Sequence, residues 1–120
     1  EEVLFMLDIL FIIPHPDRPY LDKKGLCPPI GLGLLCTYLK GFGLNCEILD
    51  MYAHKYTQKE VLNEIEKLKP HYIGLSLMFS ESKKVGYILA QRCKEMNPHV
   101  QIIAGGVYAT FRGFKFFKEF

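Results

Sequence analysis

A chain of 120 residues, 49% hydrophobic and 23% charged, has room for one buried core and is too short for two ordinary domains. A formal charge of +2, with Lys and Arg mixed evenly among Asp and Glu, gives no basic face for nucleic acid. The apolar stretch over residues 3–13 is broken by Asp8 and falls short of the roughly 20 residues of a membrane span. No secretory signal is evident, and a cytoplasmic protein is expected.

Asp8-Ile9-Leu10-Phe11-Ile12-Ile13 is a run of β-formers stopped by Pro14, as in a strand buried on both faces. Residues 14–29 hold proline and glycine without periodicity, which reads as a long loop of the kind that serves function. Over residues 30–42 apolar positions recur around a helix; Pro29 suits its first turn and Gly43 a left-handed end. Gly31 and Gly33 weaken the start of that helix and point to close packing there. Residues 46–49 form a second strand ending at Asp50. Thr57 and Glu60 make a capping box, and Val61, Leu62, Ile65 and Leu68 line the helix that follows until Lys69-Pro70 closes it.

Tyr72-Ile73-Gly74-Leu75-Ser76-Leu77 is a third buried strand. Ser80 or Ser82 caps a third helix, whose face is read as Val85, Ile88, Leu89, Arg92 and Met96 before Asn97-Pro98 stops it. Residues 100–104 form a fourth strand running into Gly105-Gly106. Alternating strands and helices with short connections predict an α/β fold: a doubly wound, flavodoxin-like parallel sheet of Rossmann-like three-layer build. About four strands are legible and a fifth is lacking. The whole chain, 1–120, is read as one domain. Phe111, Phe114, Phe117 and Phe120 recur every third residue, so residues 111–120 form an aromatic tail that either docks on the sheet, begins a missing segment, or supports self-association.

Cys27, Cys36, Cys46 and Cys93 include no pair at two-residue spacing, which argues against a zinc or iron–sulfur site held by this chain alone. Cys36, Cys46 and Cys93 fall on core positions, where free cysteine acts as a small apolar residue.

Open parallel sheets bind ligands at the carboxyl ends of their strands. That rule selects four segments: residues 14–29, 50–55, 77–80 and 105–110. Ser76 and Ser80 offer hydroxyls. Gly105 and Gly106 bare the backbone so that a large flat ligand can lie against it, although a Gly-Gly pair is also an ordinary strand-end turn. On the ligand reading, Gly106→Val abolishes binding and leaves the fold standing; on the turn reading it costs stability.

The runs Pro28-Pro29-Ile30-Gly31-Leu32-Gly33-Leu34-Leu35, Leu49-Asp50, Tyr72-Ile73-Gly74-Leu75-Ser76 and Ile103-Ala104-Gly105-Gly106-Val107-Tyr108-Ala109-Thr110, in that order, resemble the cobalamin-binding domain at the N-terminus of cobalamin-dependent radical S-adenosylmethionine enzymes. The resemblance implies a corrinoid across the strand ends with its nucleotide tail beside the sheet. Ser76, Leu77, Met78 and Ser80 would line the tail; Gly105, Gly106, Val107, Tyr108 and Thr110 would flank its phosphate and base; Pro28, Pro29 and Ile30 would face the lower side of the corrin. Arg18 or Lys23 would meet an amide or the phosphate, or be solvated loop charges. The chain then holds the cofactor and is not itself catalytic. Its partners would be cobalamin and a catalytic domain, downstream or in trans, that carries the iron–sulfur cluster and S-adenosylmethionine; the Cys-x-x-x-Cys-x-x-Cys run needed for the cluster is not in this sequence.

A related branch of cobalamin domains carries Asp-x-His-x-x-Gly to ligate cobalt. Here His15 is followed by Pro16-Asp17, so a base-off cofactor without histidine ligation is expected, with His15 the outside candidate. His54, His71 and His99 read as solvent-facing loop residues. Two rivals stand beside this reading. Gly31-x-Gly33-x-x-Cys36 with Asp50 is a broken dinucleotide fingerprint. A non-enzymatic partner-binding module also fits, though a receiver is disfavoured because Asp17 is the one acid near the end of the first strand.

Overall fold

The apolar runs become four parallel strands, β1 (Leu7–Ile13), β2 (Cys46–Asp50), β3 (Pro70–Ser76) and β4 (Gln101–Gly105), in the order β2-β1-β3-β4. The helices are α1 (Ile30–Lys40), α2 (Met51–His54), α3 (Gln58–Leu68), α4 (Ser80–Met96) and α5 (Val107–Arg112). This computed structural model describes residues 4–15, 29–77, 80–112 and 115, with the backbone alone at 80–82, 107, 108 and 111. The expected loop and aromatic tail therefore lie mostly outside the described residues. The sheet is doubly wound and flavodoxin-like, as the alternation predicts.

Residues paired across parallel strands share a face, so the register divides the sheet in two. Leu10, Ile12, Leu49, Ile73 and Leu75 point one way and are sealed by Val61 and Ile65 of α3 and by Val85, Leu89 and Cys93 of α4. Complete burial of each large aliphatic side chain stabilises by roughly 1.5–3 kcal/mol, so this face carries most of the fold. The opposite face is thinner. Ile9, Phe11, Cys46 and Ile48 meet Leu32, Cys36 and Leu39 of α1. Beyond α1, the same face continues as Tyr72, Gly74 and Ser76 on β3, paired with Gln101, Ile103 and Gly105 on β4. There Ile103 is 53% exposed, so the floor beside α1 is open. Gly74 is required at its edge, because a Cβ would sit 2.6 Å from the Phe11 ring.

Local chemistry fixes the helix ends. Gly43, at φ +82°, closes α1: its N–H donates to the Lys40 carbonyl and that of Leu44 to the Leu39 carbonyl, the double bond of a Schellman motif. The Thr57 hydroxyl accepts from the Glu60 N–H at 3.2 Å, as the capping box predicts. Four readings need correction. Residues 51–54 are a short helix, not a loop, because the Asp50 carboxylate accepts from the N–H groups of Tyr52 and Ala53. On α4 the inward row is Val85, Leu89 and Cys93. Arg92 lies 3.7 Å from Glu95 in solvent, and Met96 is exposed. A helix begins at Val107, before the phenylalanine stripe. His71 is a β3 residue stacked on Phe5 at 4.3 Å rather than a loop residue. Among the described residues no helix is long and apolar enough to cross a membrane.

Candidate functional site

The chain leaves β1 for β2 on one side and returns to β3 on the other, so the strand order reverses between β1 and β3. A crevice at the carboxyl ends of those strands follows from the reversal. On its β1 side, Pro14 is buried and His15 brings its ring to 4.5 Å from that of Tyr52. Asp50, 8% exposed, is committed to capping α2, with Oδ1 3.0 Å from the Tyr52 nitrogen and 3.2 Å from the Ala53 nitrogen. His54 Nδ1 lies 2.8 Å from the Asp50 carbonyl oxygen. The His15–Tyr52 contact had no signal in the sequence, but the Asp50 cap did, since an Asp before a short apolar stretch is a common helix start.

On the β3–β4 side, two of the expected segments meet. Ser76 pairs with Gly105, and the Leu77 N–H donates to the Gly105 carbonyl at 2.8 Å. The adjacent glycines then diverge in role. Gly106 has φ +100°, and a Cβ there would lie 2.6 Å from the Leu77 carbonyl oxygen. The expectation that Gly106→Val spares the fold is therefore overturned: Gly106 is a backbone glycine, required by its left-handed conformation and its contact with Leu77. Gly105 has an ordinary φ and nothing within 4 Å of its Cβ position. It opens the floor beside Ser76 with no structural demand of its own.

The remaining candidates distribute as follows. The Leu77 side chain is buried in the main core, so a ligand at the strand ends has only its backbone to meet. Thr110 is exposed on α5, and its N–H donates to the Gly106 carbonyl. Val107 and Tyr108 open α5, and Ser80 opens α4. Pro29 caps α1 without a side-chain hydrogen bond, and Ile30 is 69% exposed beside it. Pro28, Met78, Arg18 and Lys23 lie outside the described residues. Gly31 and Gly33 sit inside α1 rather than in a turn after β1, so the pyrophosphate-cradling geometry of a dinucleotide site does not form on them. Among the described residues, no three His, Cys, Asp or Glu side chains converge to hold a metal ion. The arrangement suits a large ligand held through backbone and hydroxyl groups over a small-residue floor.

The model of the B12 binding domain family matches residues 22–119. The chain belongs to that family. This B12-binding domain is 30% identical over 112 residues to the anaerobic magnesium-protoporphyrin IX monomethyl ester cyclase of Rubrivivax gelatinosus, an alignment covering 92% of this chain and 20% of the cyclase. It is 25% identical over 107 residues to an uncharacterized methyltransferase of Pyrococcus horikoshii, covering 88% of this chain and 23% of that protein. The domain thus spans about a fifth of the length of the curated relatives it matches. No solved structure matches at the same stringency.

Proposed function

We propose that this B12-binding domain holds cobalamin at the carboxyl ends of its strands, with the nucleotide tail on the α1-side floor at Ser76 and Gly105, and serves as the cofactor-holding unit of a longer radical S-adenosylmethionine enzyme. The observation that carries this reading is the free space at Gly105, which a Cβ would enter without touching protein. Ser76 offers a hydroxyl to the tail, and Leu77 and Met78 the backbone that follows it. Ser80 at the start of α4, and Gly106, Val107, Tyr108 and Thr110 at the start of α5, flank the phosphate and base. Pro28, Pro29 and Ile30 face the lower side of the corrin. Bound cobalamin supplies a cobalt centre that carries alkyl groups or exchanges electrons. The chain's own residues bind it, orient it and shield one side from water. The cluster and S-adenosylmethionine belong to the catalytic part of the longer protein, and a cyclase and a methyltransferase among the relatives fit an enzyme of that kind.

The cofactor is bound base-off without a histidine ligand. His15 lies against Tyr52, Pro14 restricts the backbone before it, and Asp17 comes after it rather than two residues before. The test is titration of the folded chain with hydroxocobalamin followed by visible absorbance, then electron paramagnetic resonance of the cobalt(II) form. A base-off spectrum, cobalt lines without threefold nitrogen splitting, and no change in either for His15→Ala are expected. A folded chain that gives no base-off spectrum at excess protein overturns the reading. Splitting that disappears in His15→Ala assigns the domain to the histidine-ligating branch instead.

A further inference from the structure

The amino ends of the strands, opposite the crevice, hold a cavity of about 340 Å³ between the closing turns of α3 and α4. Its wall is apolar: Ile65 of α3, Ile73 of β3, Cys93 of α4 and Val100 before β4 line it, each no more than 6% exposed. The inward row of α4 runs Val85, Leu89 and Cys93, and its last member is the smallest, so less side chain fills the layer at this end. Leu4 and Met96, 66% and 43% exposed, stand at the mouth with Glu66, Lys69 and Asn97. Strand β3 runs from Pro70, in the cavity lining, to Ser76, so the cavity lies roughly 20 Å from the strand ends proposed for cobalamin.

We infer that this cavity is a second binding site, for a small neutral molecule with an apolar body and one hydrogen-bond acceptor. The body lies against Ile65, Ile73, Cys93 and Val100, and the acceptor meets the Asn97 amide. The ligand class follows from size, charge and one polar group. At the roughly 30 Å³ that one water takes in the liquid, the cavity has room for about ten non-hydrogen atoms. Glu66 and Lys69, the charged residues of the lining, are exposed and opposite in sign, so no fixed charge inside calls for a counter-ion. Burial pushes the Cys93 thiol up to about 12, so it stays protonated and adds no charge to the wall. A charged ligand would give up its hydration against aliphatic side chains without repayment. Asn97 Oδ1 accepts from the His99 N–H at 3.0 Å, and no described residue accepts from its two side-chain N–H groups. Those donors suit a carbonyl or ether oxygen at the mouth.

The probe is para-fluoroacetophenone, a neutral ketone of that size, titrated into the full chain and followed by its fluorine resonance and by the protein's amide shifts. Saturable binding is expected, with the largest shifts at Ile65, Ile73, Cys93 and Val100. The ethyl analogue, para-fluoroethylbenzene, lacks the acceptor and should bind roughly fivefold more weakly. The charged analogue, para-fluorobenzoate, should bind at least about tenfold more weakly. Asn97→Leu should keep both neutral probes bound and abolish the difference between them. Cys93→Phe, which puts a ring into the space, should end binding, and the gentler Cys93→Met should weaken it; unfolding temperature shows which variants are folded. The amide shifts of the parent protein locate the site without either variant. No saturation at the solubility limit of the ketone, shifts centred at the carboxyl ends of the strands, tighter binding of the benzoate, or a folded Cys93 variant that binds as the parent does overturns the inference.

Discussion

On the α3–α4 side of the sheet, Leu10, Ile12, Ile73 and Leu75 are sealed under Val61, Leu89 and Cys93. On the α1 side, β3 and β4 carry Gly74, Ser76 and Gly105 and leave Ile103 half exposed. The same strands build both faces. What differs is side-chain volume toward the carboxyl ends of β3 and β4, where Leu75 on one face stands against Gly74, Ser76 and Gly105 on the other. In the proposed function stability and binding fall on opposite sides of one layer, so substitutions on one side can be read without much interference from the other.

The largest expected effect tests where that separation ends. Gly106→Val combines a left-handed φ with a 2.6 Å approach to the Leu77 carbonyl oxygen. It should cost about 4 kcal/mol, a large share of the roughly 5–15 kcal/mol of an ordinary domain. Thermal unfolding that left the protein as stable as its parent would show that the glycine serves ligand access alone. Next comes the packed face. Leu89→Ala, at a fully buried site, should cost about 3 kcal/mol in chemical denaturation, whereas Ile103→Thr on the open face should cost under about 1 kcal/mol. Equal losses would erase the distinction between the faces. The smallest effect is the most informative: Gly105→Val should keep the fold and its unfolding temperature and weaken cobalamin binding at least about tenfold, or about 1.4 kcal/mol. Undiminished affinity would remove Gly105 from the site.

Much of this was legible in advance because it is local. Four β-rich runs, the Thr57–Glu60 box and the Gly43 terminus each follow from short-range pattern. What escaped depends on geometry that periodicity does not carry. On α4, Val85, Leu89 and Cys93 form one row, and Ile88, Arg92 and Met96 form a neighbouring one. Both recur at helical spacing, and the sheet's position alone decides that the first turns inward. Adjacent glycines look alike as letters, yet Gly106 answers a backbone clash and Gly105 does not. The α2 turn is too short for a periodic pattern, and it forms because Asp50 spends its carboxylate on two backbone N–H groups. The His15–Tyr52 contact joins the ends of strands far apart in sequence and had no local trace.

The central position of β1 bears on how the chain reaches this state. Leu7 pairs with Pro70 and Ile9 with Cys46, so the first of these four strands to be synthesised gains one neighbour after one crossover and the other only after a second. Loop-closure entropy must be met before either pairing returns anything, which favours slow assembly. Until β3 arrives, β1 presents an apolar strand with one bare edge, the species most open to mispairing with another chain. During synthesis an interior strand of the finished sheet thus waits with an edge exposed.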